Sequence, residues 1–174
     1  WSVFKKIDKR KLLIKGHKVV PWCPRCETAL SSHELAQGYK EVVDSSIYVK
    51  FKLKKQDKTY ILSWTTTPWT LPGNVALAVG EKIIYQSFKV GDEHFILAKD
   101  RAEILGPGFV AEKIFSGKEL INLEYEPPFD VKKLKNPKSY KIYAADFVTT
   151  TDGAGVVHTA VMYGEDDYKL GQKL

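Results

Sequence analysis

The chain is poor in cysteine: Cys23 and Cys26 are the only two among 174 residues. A disulfide framework is therefore not expected, and a reducing, cytoplasmic setting is. Methionine occurs once, at Met162, and not at the start. The sequence opens at Trp1 without a signal peptide and reads as a piece of a larger protein, expected to be a monomer. Hydrophobic residues make up 44% of it, yet no apolar run approaches the ~20 residues of a membrane span, so no membrane partner is expected. No G-x-G-x-x-G follows a strand, which argues against a Rossmann fold. Internal repeats, low-complexity segments and domain-splitting linkers are absent.

Acidic residues are outnumbered, 21 against 27 Lys and Arg, for a net charge of +6. The basic side chains cluster at Lys5 to Lys15, Lys50 to Lys58 and Lys132 to Lys141. Such clusters can track phosphates, and they serve equally as a solvated surface. The length allows one domain with a sizeable core.

Residues 2–14 repeat apolar positions at helical spacing, and Gly16 suits a C-cap. Cys23-Pro24-Arg25-Cys26 is a C-x-x-C pair, half of what a structural zinc wants. His17 and His33 are irregularly spaced candidates to complete it. Ser31 with Glu34 and Ser116 with Glu119 form capping boxes, each announcing a short helix. Residues 47–53 alternate as a half-buried strand, and 55–58 is a hairpin-length loop into the next. Strands are expected at 75–79, 83–89, 93–98 and 110–115, with a Gly91-Asp92 hairpin and a short helix over 99–105. Residues 116–140, broken by three prolines, read as a surface excursion. A strand over 142–151 then turns at Asp152-Gly153-Ala154-Gly155 and returns antiparallel over 156–161. The fold class expected is mixed α/β, β-rich: a closed or nearly closed β-barrel with peripheral short helices. The whole of 1–174 is one domain in this reading: an N-terminal helix to 16, a C-x-x-C knuckle over 17–40 and a barrel core over 41–174.

The densest chemistry is Trp64-Thr65-Thr66-Thr67-Pro68-Trp69-Thr70-Leu71-Pro72-Gly73-Asn74. A strand runs into it and must stop at Pro68, which has no N–H for the ladder. Four threonine hydroxyls then crowd one strand end. They can donate and accept, and their methyls make a small apolar wall, which suits a ligand with one aliphatic and one polar end. Three threonines are also ordinary strand formers. Farther on, Val156, His158 and Ala160 share one strand face. Asp166 and Asp167 begin a helix, where a carboxylate is favoured and expected to stay ionised.

The threonine stretch resembles the editing domain inserted into isoleucyl-tRNA synthetases. Valyl and leucyl relatives typically carry Thr-Thr-Arg-Pro, with Arg where this chain has Thr67. The run from Asp152 through His158, followed by Gly164-Glu165-Asp166-Asp167-Tyr168, resembles the domain's other signature. Val161-Met162-Tyr163 departs from it, standing where many relatives have a proline-containing turn. Cys23 to Glu34 resembles the knuckle beside that domain, whose partner cysteines come after it. The likenesses run from Val19 to Tyr168.

The resemblance implies hydrolysis of the ester joining valine to the 3′ end of the isoleucine tRNA. Asp167 would hold the substrate α-ammonium and His158 would lie against the amino-acid side chain. Thr65, Thr66, Thr67 and Thr70 would hold ribose hydroxyls, the carbonyl or the water. Trp69 and Asn74 are weaker candidates, for the adenosine end or for loop geometry. No protein nucleophile and no cofactor is expected for editing; zinc at Cys23 and Cys26 would need ligands outside this chain. The remaining partner is the rest of the synthetase in cis. Neither adenylation signature, His-x-Gly-His or Lys-Met-Ser-Lys-Ser, is present, so amino-acid activation is not expected. Two other readings stand beside this one: a non-catalytic RNA-binding barrel with a zinc knuckle, and an editing domain of a valyl or leucyl relative.

Overall fold

A computed structural model describes all residues from Trp1 to Leu174. The chain divides into two compact units, 1–41 and 42–174. In the first, helix α1 spans Ser2–Lys9. It ends short of Gly16 because Lys11 turns to φ +53, a left-handed conformation that no helix continues. A two-stranded hairpin of β1 (Trp22–Cys23) and β2 (Thr28–Ala29) carries the cysteines. Helix α2 (Ser32–Gln37) starts at Ser31, where the capping box forms in both directions.

The second unit is built on two sheets. Its strands are β3 (Ile47–Lys52), β4 (Thr59–Thr65), β5 (Ala76–Val79), β6 (Ile84–Val90), β7 (Glu93–Ala98), β8 (Val110–Ser116), β9 (Lys141–Ala144) and β10 (Val156–Thr159). One sheet has the order β3-β4-β7-β6-β8 and the other β10-β5-β9. Pairing is antiparallel except for β4 with β7 and β5 with β9. Short helices α3 (Gly117–Leu120) and α4 (Glu165–Lys173) complete the unit, with 3-10 turns at 68–73, 99–105 and 132–134. No helix is long and apolar enough to cross a membrane.

The strands do not close into the barrel expected from their number. Both sheets are open, with β3 and β8 at the edges of one and β9 and β10 at the edges of the other. Pro68 ends β4 before its ladder can continue. A buried side-chain bond from Ser63 Oγ to the Val156 carbonyl, 2.9 Å, links β4 to β10 instead.

One core is shared by the two sheets. Phe51, Ile61, Tyr85 and Ile96 come from the larger sheet, and Leu77, Val79, Ile142 and Val156 from the smaller. The opposite face of the larger sheet packs Leu62, Phe88, Phe95 and Leu97. Alternation along β4 thus sends Ile61 to one core and Leu62 to the other.

Strand β5 is buried at all four positions, and it lies between β9 and β10. That position overturns the expected hairpin: β9 and β10 each pair with β5 and not with each other. Strand β9 also ends at Ala144, seven residues short of the strand expected. Residues 116–140 are likewise more than an excursion, since Leu120 and Tyr125 are fully buried.

Candidate active site

The end of β4, the turn after it, β10 and the start of α4 enclose a cleft of about 280 Å³. Thr65, Thr66, Thr67, Thr70, His158 and Asp167 all line it, with Trp64, Val157, Ala160 and Tyr163. Residues more than ninety positions apart in sequence are brought together here, because β10 pairs with β5 directly after the threonine turn (His158 opposite Leu77).

The threonines are held by their own backbone. Thr65 Oγ1 accepts from the Thr67 N–H at 3.0 Å and lies 3.3 Å from Thr67 Oγ1. Thr70 Oγ1 donates to the Thr67 carbonyl at 2.8 Å. Such local bonds replace the ladder bonds that Pro68 forbids and fix the hydroxyls at the strand end.

His158 is 8% exposed. Its Nε2 lies 3.0 Å from Thr70 Oγ1, and its Nδ1 lies 2.9 Å from Asn74 Nδ2. Burial pushes its pKa down to about 4, so the ring is neutral at pH 7. Asn74 also donates to the Ala76 carbonyl at 3.0 Å and accepts from the Tyr125 hydroxyl at 2.6 Å.

Asp167 sits in the first turn of α4, after an extended Gly164 at the N-cap. Its carboxylate folds back over that glycine: a Cβ on Gly164 would meet Asp167 Oδ2 at 2.6 Å. Burial, then the neighbouring Asp166 charge, raises its pKa to about 6, against the opposing pull of the Ala160 backbone N–H. Helix position alone had led to the expectation of a firmly ionised group. Desolvation outweighs that position, leaving an anion at pH 7 that lacks its full complement of water. It is suited to a cation that arrives with the ligand.

Two expected contacts are placed elsewhere. Asn74 is 2% exposed and reaches the cleft only through His158. Trp69 is 70% exposed and does not line the cleft. Three further aromatic residues support the site. Trp64 packs against Gly153, the Tyr163 ring lies on Gly73, and Tyr125 anchors Asn74. The alternation of Leu123 and Tyr125 with Glu124 and Glu126 was the available signal for Tyr125.

Cys23 and Cys26 face one another across the hairpin turn, with the Cys26 N–H 3.4 Å from Cys23 Sγ. Backbone N–H donation from Cys26 lowers the Cys23 pKa, while the neighbouring sulfur raises that of Cys26. No third Cys, His, Asp or Glu joins them in a metal-binding group.

The family profile for class I tRNA synthetases (I, L, M and V) matches residues 1–162, and the chain belongs to that family. It is 51% identical over 174 residues to the isoleucine–tRNA ligase of Clostridium novyi (strain NT), covering 99% of this chain and 17% of that protein. To isoleucine–tRNA ligase 2 of Bacillus cereus it is 49% identical over 173 residues, with the same coverage. The chain thus spans about 17% of the length of these relatives.

Among solved structures, the fold has counterparts in leucyl-tRNA synthetase editing domains. GlLeuRS-CP1 matches with a TM-score of 0.62 at 17% identity, over 74% of this chain and 59% of that one. The P. knowlesi cytosolic leucyl-tRNA synthetase editing domain matches with 0.55 at 14% identity, over 71% and 60%. At these identities the likeness is one of fold.

Proposed function

We propose that the cleft hydrolyses the ester of valine misattached to the 3′ end of the isoleucine tRNA, as the editing part of an isoleucyl-tRNA synthetase. One observation carries the reading. Four threonine hydroxyls, a neutral imidazole and a half-desolvated carboxylate converge on one small cleft. The substrate has a matching set: ribose hydroxyls and an ester carbonyl, a short aliphatic side chain, and an α-ammonium.

The need for such a site is physical. One methylene is worth only ~1–3 kcal/mol in an apolar pocket, a magnitude established on this very pair of amino acids and not obtained from the present structure. A second, smaller pocket can remove what the first admits. Asp167 takes the ammonium in a charge-assisted bond. The ring of His158 bounds the side chain. Thr65, Thr66, Thr67 and Thr70 orient the ester, and a water held among them attacks its carbonyl. An aminoacyl ester is already reactive, so positioning and oxyanion stabilisation suffice without a protein nucleophile. Trp69, exposed after the threonines, is offered to the terminal adenosine.

The tRNA 3′ end is the ligand, and the remaining part of the synthetase is the partner in cis, in the cytoplasm. Two thiols on a tight turn fit half of a tetrahedral zinc site. Cys23 and Cys26 would hold the ion with ligands from elsewhere, and its role there would be structural.

Alanine substitutions at Asp167 and Asp166 test the assignment. Asp167→Ala is expected to reduce valyl-ester hydrolysis by roughly 10- to 100-fold, because a charge-assisted bond is lost and the ester is misplaced. Asp166→Ala, on the exposed side of the same turn, should keep most of the activity. Full activity in Asp167→Ala with its loss in Asp166→Ala would refute the assignment.

A further inference from the structure

The hydrogen bonds around His158 leave each hydrogen a single place. The Ala76 carbonyl can only accept, and it is Asn74 Nδ2 that lies 3.0 Å from it. At the other end of the amide, the Tyr125 hydroxyl donates to Oδ1 at 2.6 Å. The orientation of the Asn74 amide is therefore set from both sides. Its second N–H points at His158 Nδ1, 2.9 Å away. An amide nitrogen only donates, so Nδ1 must present its lone pair. A neutral imidazole then carries its hydrogen on Nε2, 3.0 Å from Thr70 Oγ1. The Thr70 hydroxyl hydrogen is already committed to the Thr67 carbonyl, so Thr70 accepts from the ring.

We propose that Tyr125, acting through Asn74, is a positioning residue that locks His158 as the Nε2–H tautomer and fixes its ring as the wall separating valyl from isoleucyl esters. The choice of substrate rests on the proposed editing function; the lock itself does not. Tyr125 lies outside every motif of the site, 51 residues from Asn74.

Three observations support the lock. Both ring nitrogens of His158 are engaged, so neither has a free lone pair with which to activate water, and the ring is left as a surface. Turning the ring over would break both bonds, and the amide of Asn74, 2% exposed, would lose its partner on the ring. Tyr125 is itself fully buried, with its ring edge-on to Phe51 at 5.3 Å. A phenol hydroxyl placed so deep is unfavourable unless bonded, and Asn74 is the partner it has. A wall that discriminates one methylene must be held to a fraction of an ångström, and this chain of bonds holds it.

Nitrogen-15 NMR on the histidine-labelled chain reads the tautomer directly, and hydrolysis of valyl and isoleucyl esters of the isoleucine tRNA reads the wall. In the unmodified chain, Nδ1 of His158 should resonate as an unprotonated nitrogen and Nε2 as a protonated one. Tyr125→Phe keeps the ring and its packing but removes the donor that holds the amide. The Nδ1–H form should appear, and the valyl-to-isoleucyl ratio of kcat/KM should fall roughly 3- to 10-fold, the worth of one hydrogen bond. Asn74→Asp places an acceptor opposite Nδ1 and should draw the hydrogen there more completely. An Nδ1–H tautomer in the unmodified chain would overturn the lock. So would a Tyr125→Phe variant that melts lower but keeps tautomer and ratio, since Tyr125 would then be a core residue only. If the unmodified chain hydrolyses neither ester, the editing function fails, and the nitrogen shifts still decide the lock.

Discussion

Asp167 is placed where its own charge costs stability. Its carboxyl ordinarily titrates at 3.8 and is raised to about 6 in the folded chain. The folded state therefore binds the proton more tightly, so stability from this group falls as pH rises from 3.8 to 6, and the full cost stands above that. His158 works in the opposite sense. Its pKa drops from 6.5 to about 4, so its contribution is complete above 6.5 and is lost as pH falls toward 4. Between about pH 4 and 6 the two slopes oppose each other. Asp167→Asn removes one of them. The variant should be more stable than its parent at pH 7.5 by about 1–2 kcal/mol, a figure discounted for partial exposure. Its stability should also climb more steeply with pH between 4 and 6.5. Urea midpoints across that range check both; a variant less stable at every pH would place the carboxylate among stabilising contacts instead. A charged group that is costly at rest is a usual mark of a functional site.

At the scale of elements, what was legible in the sequence was local. The capping boxes at Ser31 and Ser116 and the hairpin at Gly91-Asp92 each depend on residues a few positions apart, and each is formed. The end of β4 at Pro68 follows from one missing N–H. What was not legible depends on which strand wins a place between two others. Ala76 to Val79 carries no polar side chain and is buried throughout, so it takes the centre and separates β9 from β10. Nothing local to residues 141–159 encodes that choice. The meeting of the threonines, His158 and Asp167 was legible from their motifs, whereas the bond from Tyr125 to Asn74 spans 51 residues and was not.

The turn into β10 is the element on which the site depends most. Gly155 has φ +72, its carbonyl accepts from the Tyr85 hydroxyl at 2.7 Å, and an added Cβ would lie 2.5 Å from that of Ala98. Gly155→Ala should cost about 2–4 kcal/mol, summing left-handed strain and overpacking. Gly91→Ala, with φ +59 and nothing within 4 Å, isolates the strain and should cost about 1 kcal/mol. Equal urea midpoints for the two variants would show that the approach to Ala98 is not a constraint.

For the molecule as a whole, the second unit carries two open sheets that share one core, and the cleft is assembled where their strand ends meet α4. The chain charge of +6 favours approach of an RNA backbone without selecting one. Under the proposed function, selection falls to the cleft. The most direct measurement is single-turnover hydrolysis, by the chain, of isoleucine tRNA charged with valine or with isoleucine, against the uncatalysed rates. The valyl ester should be cleaved well above its blank while the isoleucyl ester is spared. Hydrolysis of both at equal rates, or of neither, would contradict the account.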